Sequence, residues 1–151
     1  MAEINLNLLI EQTTGEYSEK AEKSDLSLAV TVPQNDIFVL SDGRMLWRIF
    51  DNLLNNACKY SQPGTRVYIN LETRDEMVNI TFRNVSKTQL NISPDELMER
   101  FVRGDSSRNT EGSGLGLNIA QSLTELLGGE MALHIDGDLF KVILTFPQLK
   151  M

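Results

Sequence analysis

Paired runs of alternating apolar residues constrain this chain more than any other feature. Val67, Ile69 and Leu71 alternate with polar residues before Thr73-Arg74-Asp75-Glu76, and Val78, Ile80 and Phe82 alternate after it. Period two places each set on one face of a strand, so the segment reads as an antiparallel hairpin of strands 66–73 and 77–84. The pattern returns near the C-terminus. Met131, Leu133 and Ile135 alternate, Asp136-Gly137 turns, and Phe140, Val142, Leu144 and Phe146 alternate up to Pro147. Sheets with one apolar face need a second layer to cover it.

Helices that could supply that layer are also legible. Behind Ser41 and Asp42, both N-cap types, Met45, Leu46, Ile49, Phe50, Leu53, Leu54, Ala57 and Cys58 recur at three- and four-residue steps until Ser61-Gln62-Pro63-Gly64. This predicts a helix over 42–60. A second helix is expected from Leu115 to about Leu127, with Leu115, Ile119, Leu123 and Leu126 on one face and Gly128-Gly129 as the stop. Leu26, Leu28, Val30 and Val32 read as a strand ending at Pro33. The run Ile4 to Ile10 is short and apolar and is expected to start a strand, followed by a helix through Tyr17, Ala21 and Lys23. The interleaved order predicts an α/β fold with a mixed sheet and helices on one face.

Composition narrows the function. A length of 151 residues suits one domain over 1–151, and 41% hydrophobic residues are enough for it to fold alone. The net charge of −7 sets the chain's field against nucleic acid and anionic membranes. No apolar run reaches the roughly 18 residues of a membrane span, and the N-terminal residues lack the pattern of a secretory signal, so the chain is expected to be soluble. A single cysteine, Cys58, and a single histidine, His134, exclude an internal disulfide, a histidine metal cluster and a Cys-His protease. His134 lies in the alternating run Met131 to Asp136 and reads as a structural or surface strand residue.

Two features are not explained by packing. Asn is a mediocre helix former, yet Asn52, Asn55 and Asn56 fall mid-helix, and Asn52, Asn56 and Lys59 are spaced i, i+4 and i+7 on one stripe. That stripe is either a solvated polar face or a site where an amide oxygen ligates a hard cation and Lys59 meets a phosphate. The second feature is Glu111-Gly112-Ser113-Gly114-Leu115-Gly116-Leu117, a glycine-rich turn entering a helix within the long polar stretch 84–114, which is interrupted only by a short helical segment, Pro94 to Phe101. Such a turn is either a flexible loop or a phosphate lid, because glycines admit close backbone approach and a helix N-terminus favours anions.

Together the segments Asn52 to Ser61, Glu99 to Arg108 and Glu111 to Ala120, followed by Gly128-Gly129 and a terminal hairpin, resemble the catalytic ATP-binding domain of bacterial two-component sensor histidine kinases. The resemblance spans nearly the whole chain. It implies a two-layer α/β sandwich, a mixed sheet of about five strands covered by three helices, shared with the gyrase, heat-shock chaperone and mismatch-repair ATPases. It implies ATP or ADP and Mg2+ as cofactors, with Asn56 as the magnesium ligand and Asn52 on the phosphate side. Lys59 and Tyr60 match the basic and aromatic pair beside the triphosphate and purine. Phe101 and Arg103 match the phenylalanine box, and Gly112, Ser113, Gly114, Leu115 and Gly116 form the lid. Asn52, Asn56, Lys59 and Arg103 are the residues it implies for catalysis.

One position departs from the family. An Asp-x-Gly-x-Gly motif is expected after Val78 to Phe82, where the aspartate accepts from adenine's exocyclic amine, but this chain has Asn84-Val85-Ser86-Lys87-Thr88. By the resemblance Asn84 aligns with that aspartate, and its amide oxygen can still accept the bond, without the charge.

The function implied is transfer of the γ-phosphoryl group of Mg-ATP to a histidine on a separate dimerisation domain of the same kinase, with a response regulator reached indirectly. The alternative is a degenerate nucleotide-binding regulator that binds a protein partner without kinase activity. By the same resemblance the chain is expected to be a monomeric domain excised from a larger protein, cytoplasmic, with a membrane-anchored sensor as its parent and no nucleic-acid partner.

Overall fold

The computed structural model describes residues 1–87 and 115–150. The expected short helix from Pro94 to Phe101 lies outside the described residues. The element order is β1 (Ala2–Asn5), α1 (Leu6–Lys23), β2 (Leu26–Thr31), β3 (Phe38–Ser41), α2 (Gly43–Tyr60), β4 (Thr65–Arg74), β5 (Met77–Val85), α3 (Leu115–Leu126), β6 (Glu130–Asp136) and β7 (Leu139–Pro147). Five strands form a sheet in the order β2-β4-β5-β7-β6, and β1 and β3 form a separate two-stranded ribbon. β2 runs parallel to β4 while the other pairings in the large sheet are antiparallel, so the sheet is mixed.

Both hairpins read from the sequence form. β4 and β5 pair with Ile69 opposite Phe82 and Leu71 opposite Ile80, and β6 and β7 pair with Leu133 opposite Val142. The alternating side chains behave as the period requires: Val67, Ile69, Leu71, Val78, Ile80, Phe82, Val142, Leu144 and Phe146 are buried on one face. The opposite face is more open, and there the Arg83 guanidinium stacks over the Tyr68 ring at 4.5 Å. His134 is exposed on β6, as expected of a surface strand residue.

The covering layer is helical. α2 sends Leu46, Ile49, Phe50, Leu53, Leu54, Ala57 and Cys58 into the core, and the Phe50 and Phe82 rings meet with centroids 5.8 Å apart. Burying each large apolar side chain contributes about 1.5–3 kcal/mol, so this one face ties helix to sheet. Asp42 caps α2 by accepting from the backbone amides of Arg44 and Met45 at 2.9 and 3.0 Å. α1 and α3 pack against α2 on either side.

The N-terminus corrects one expectation. Of the run Ile4 to Ile10 only Ile4 and Asn5 lie in a strand, and from Leu6 the chain is helical. The Asn5 side chain accepts from the Leu8 amide at 3.2 Å and starts the helix. Leu6 and Ile10, one helical turn apart, are both buried. Asn7 is buried as well and satisfied, donating to the carbonyls of Pro33 and Asn35 and accepting from the Ile37 amide at 2.9 Å. A strand would have sent Leu6 and Asn7 to opposite faces.

Gly128 and Gly129 close α3 for different reasons. Gly128 has φ +85, which suits a residue without a side chain. At Gly129 a Cβ would meet Phe146 Cε1 at 2.5 Å and the Thr145 carbonyl at 2.7 Å, so the helix end lies directly on β7.

Candidate functional site

α2 presents two kinds of surface. Its apolar stripe is buried, and beside it Asn52, Asn56 and Lys59 are half-buried. Seven residues of helix separate Asn52 from Lys59, so the stripe runs about 10 Å along the axis. Lys59 has an interaction partner and is not a free cation.

Asn52 is the informative member. Its Nδ2 is buried and has no hydrogen-bond partner, a state shared among the described residues only by Ser41 Oγ at the junction of β3 and α2. A buried polar group left unpaired costs about 1–3 kcal/mol. An anionic oxygen is the complement that a buried amide N–H lacks. The third asparagine differs. Asn55 accepts from Lys20 of α1, so it belongs to the α1–α2 seam.

That seam sets the rotation of α2. Tyr17 of α1 donates its hydroxyl to the Asp51 carboxylate and to the Asp51 carbonyl, and Lys20 lies over the Tyr17 ring at 5.5 Å. Burial, reinforced by the Asp51 carboxylate, holds the Tyr17 hydroxyl well above its ordinary value of 10.0. With Asp51 and Asn55 turned to α1, the intervening Asn52 and following Asn56 are turned elsewhere.

The C-terminal end of α2 is clamped to the end of β5. Gln62 donates its backbone amide to the Val85 carbonyl and Lys87 donates to the Tyr60 carbonyl, both at 2.8 Å, and Ser61 pairs with Ser86 in an isolated bridge. Within this clamp Asn84, buried on β5, donates its Nδ2 to Ser61 Oγ at 2.8 Å. Asn84 is therefore bonded to the residue that directly follows the Lys59-Tyr60 pair. Tyr60 is partly exposed, and the burial it has raises its hydroxyl pKa, so the ring is a neutral aromatic surface. A cavity of about 340 Å³ lined by Gln62, Ser86, Lys87, Gly137 and Asp138 opens beside the clamp.

The structure thus brings Asn52, Asn56, Lys59, Tyr60 and Asn84 to one helix and the strand end stapled to it. Leu115 and Gly116 lie in the first turn of α3. Phe101, Arg103, Gly112, Ser113 and Gly114 lie outside the described residues. Ser61 was not legible as the partner of Asn84; the available signal was a hydroxyl directly after Lys59-Tyr60, where the helical pattern breaks. Among the described residues no cluster of three or more His, Cys, Asp or Glu side chains could hold a metal. No helix among the described residues is long and apolar enough to cross a membrane.

Comparison with known proteins bears on this geometry. The family described as histidine kinase-, DNA gyrase B-, and HSP90-like ATPase matches residues 41–150. The chain is similar to the probable sensor protein PcoS of Escherichia coli, 44% identical over 101 residues, covering 66% of this chain and 22% of that protein. It is also similar to the sensor histidine kinase RppB of Synechocystis sp., 36% identical over 124 residues, covering 79% of this chain and 27% of RppB. The chain therefore spans about a quarter of the length of these curated relatives. In fold it is similar to the catalytic domain of histidine kinase ThkA, with a TM-score of 0.81 at 24% identity, covering 97% of this chain and 95% of that domain.

Proposed function

Because the chain belongs to the family of histidine kinase-, DNA gyrase B- and HSP90-like ATPases, we propose that it binds Mg-ATP along α2 and donates the γ-phosphoryl group to a histidine on a separate dimerisation domain. The observation that carries this reading is the buried, unpartnered Nδ2 of Asn52. A phosphate oxygen would satisfy that donor, and the same helix offers Asn56 and Lys59 at the following turns.

A triphosphate entering a chain of net charge −7 needs a counter-cation. The Asn56 amide oxygen is a hard ligand of the kind Mg2+ accepts together with phosphate oxygens and waters, and it would hold the ion. When bound, Mg2+ would supply charge neutralisation at the transferring phosphoryl group. Lys59 would bring positive charge to the phosphates, the Tyr60 ring would lie against the purine, and the Asn84 carbonyl would accept from the exocyclic amine. Arg103, Phe101 and the lid residues Gly112 to Gly116 complete the proposal from the sequence. Positioning and charge stabilisation supply most of the catalysis in such transfers. In this reading the fragment works as a monomer on the cytoplasmic side of a membrane-anchored sensor, a response regulator lies downstream, and nucleic acid is not a partner.

A second reading, a nucleotide-binding regulator without kinase activity, is favoured by Asn84 standing where the family has a carboxylate. Phosphotransfer separates the two. Incubation with γ-labelled ATP and a helical hairpin bearing an acceptor histidine is expected to label the hairpin. Nucleotide-dependent binding to the hairpin without label transfer would favour the regulator instead.

A further inference from the structure

Asn84 and Ser61 form a polar pair with two equivalent hydrogen-bonding arrangements, and a carboxylate at the same position would have one. Asn84 is 7% exposed and Ser61 1%, so their hydrogen bond is shielded from bulk water. In the arrangement present, Nδ2 donates to Ser61 Oγ and leaves Oδ1 to accept. A half-turn of the amide about its last side-chain torsion exchanges the roles: Ser61, whose hydroxyl is both donor and acceptor, donates to Oδ1, and Nδ2 is left to donate. Both arrangements keep the Asn84–Ser61 bond. The backbone bonds Gln62 to Val85 and Lys87 to Tyr60 hold the two residues in place while the amide turns.

From this we infer that the nucleotide site accepts 6-oxopurine as well as adenine nucleotides, with the Asn84–Ser61 pair as its specificity-determining element. The inference rests on the nucleotide reading proposed above, in which Asn84 faces position 6 of the base. An adenine amine meets Oδ1, and a hypoxanthine or guanine carbonyl meets Nδ2. Aspartate at this position is acceptor-only when ionised, so a 6-carbonyl would face it with no proton between them. A buried acceptor opposed to an acceptor costs enough to reject the wrong base by about a hundred-fold, whereas a donor-acceptor swap avoids that cost. Inosine diphosphate is the cleaner probe than guanosine diphosphate, because it lacks the 2-amino group.

Calorimetric titration of the chain with Mg-ADP and Mg-IDP tests this, alongside Asn84→Asp, Ser61→Ala and Ser61→Thr. The wild-type dissociation constants are expected to agree within about ten-fold, and Asn84→Asp is expected to prefer ADP by about a hundred-fold. Ser61→Ala removes the hydrogen bond that both arrangements share, so ADP and IDP affinities are expected to fall together. Ser61→Thr restores the hydroxyl and is expected to restore the wild-type affinities. A wild-type preference for ADP as strong as that of Asn84→Asp would overturn the inference, as would unchanged affinity for both ligands in Ser61→Ala. In either case ADP binding would leave the nucleotide reading standing. Absence of ADP binding by the wild type and by Asn84→Asp would instead remove that reading, and the inference with it.

Discussion

Tyr17 donates its phenolic hydrogen to the Asp51 carboxylate and so fixes α1 to the helix that carries Asn52 and Asn56. Hydrogen bonds to charged groups contribute about 1.5–3 kcal/mol. Asp51 is only half-buried, so solvent replaces part of the loss when the hydroxyl is removed. Tyr17→Phe is expected to lower unfolding free energy by about 1.5 kcal/mol, the lower end of that range, in urea titration.

The same bond makes a pH prediction. The folded chain holds the Tyr17 proton above the ordinary value of 10.0, mainly by burial and then by Asp51, whereas the unfolded chain releases it near that value. The folded state then binds more protons than the unfolded one, so stability is complete below the unfolded pKa and falls as pH rises past it, by up to about 1.4 kcal/mol per unit. The stability gap between wild type and Tyr17→Phe should be constant below about pH 9 and shrink as pH rises past about 10. A constant gap would mean that Tyr17 does not titrate differently in the two states.

Gly128 and Gly129 separate two costs of adding a methyl group. Gly129→Ala drives a Cβ into Phe146 and the Thr145 carbonyl, a buried ring and a ladder backbone atom that do not yield freely. Overpacking of this kind costs about 1–3 kcal/mol. Gly128→Ala enters open space and pays only for a positive φ, about 1 kcal/mol. Chemical denaturation should rank Gly129→Ala below Gly128→Ala in stability.

Cys58 lies on the buried face of α2, and burial raises its thiol pKa. Thiolate is the reactive form, so alkylation of the native chain should be slower than in denaturant by about a hundred-fold, tracking opening of the structure. Equal rates would contradict the packing of that helix face.

The sequence was informative where periodicity is local. The alternation through Val67 to Phe82 and the three- and four-residue steps from Met45 to Cys58 each identify one face of one element, and the structure buries those faces. Leu6 to Ile10 was ambiguous because so short a segment does not separate period two from the helical period. The capping bond from Leu8 to Asn5 and the anchoring of Asn7 to the segment Pro33 to Ile37, which decide for helix, involve partners the run does not contain. β3 was missed because its four residues pair only with β1, far away in sequence, and the parallel pairing of β2 with β4 is likewise non-local. In the candidate site the stripe Asn52, Asn56 and Lys59 was visible as spacing. That Asn55 belongs to Lys20 and that Asn84 belongs to Ser61 depends on tertiary contacts across 35 and 23 residues.

The central claim is that the polar stripe of α2 holds a magnesium nucleotide, and calorimetric titration of Mg-ADP into the wild type and Asn56→Ala tests it most directly. The wild type should bind in a magnesium-dependent manner, and Asn56→Ala should lose that binding while unfolding with an unchanged midpoint. Undiminished, magnesium-dependent binding by Asn56→Ala would contradict the assignment of this helix face.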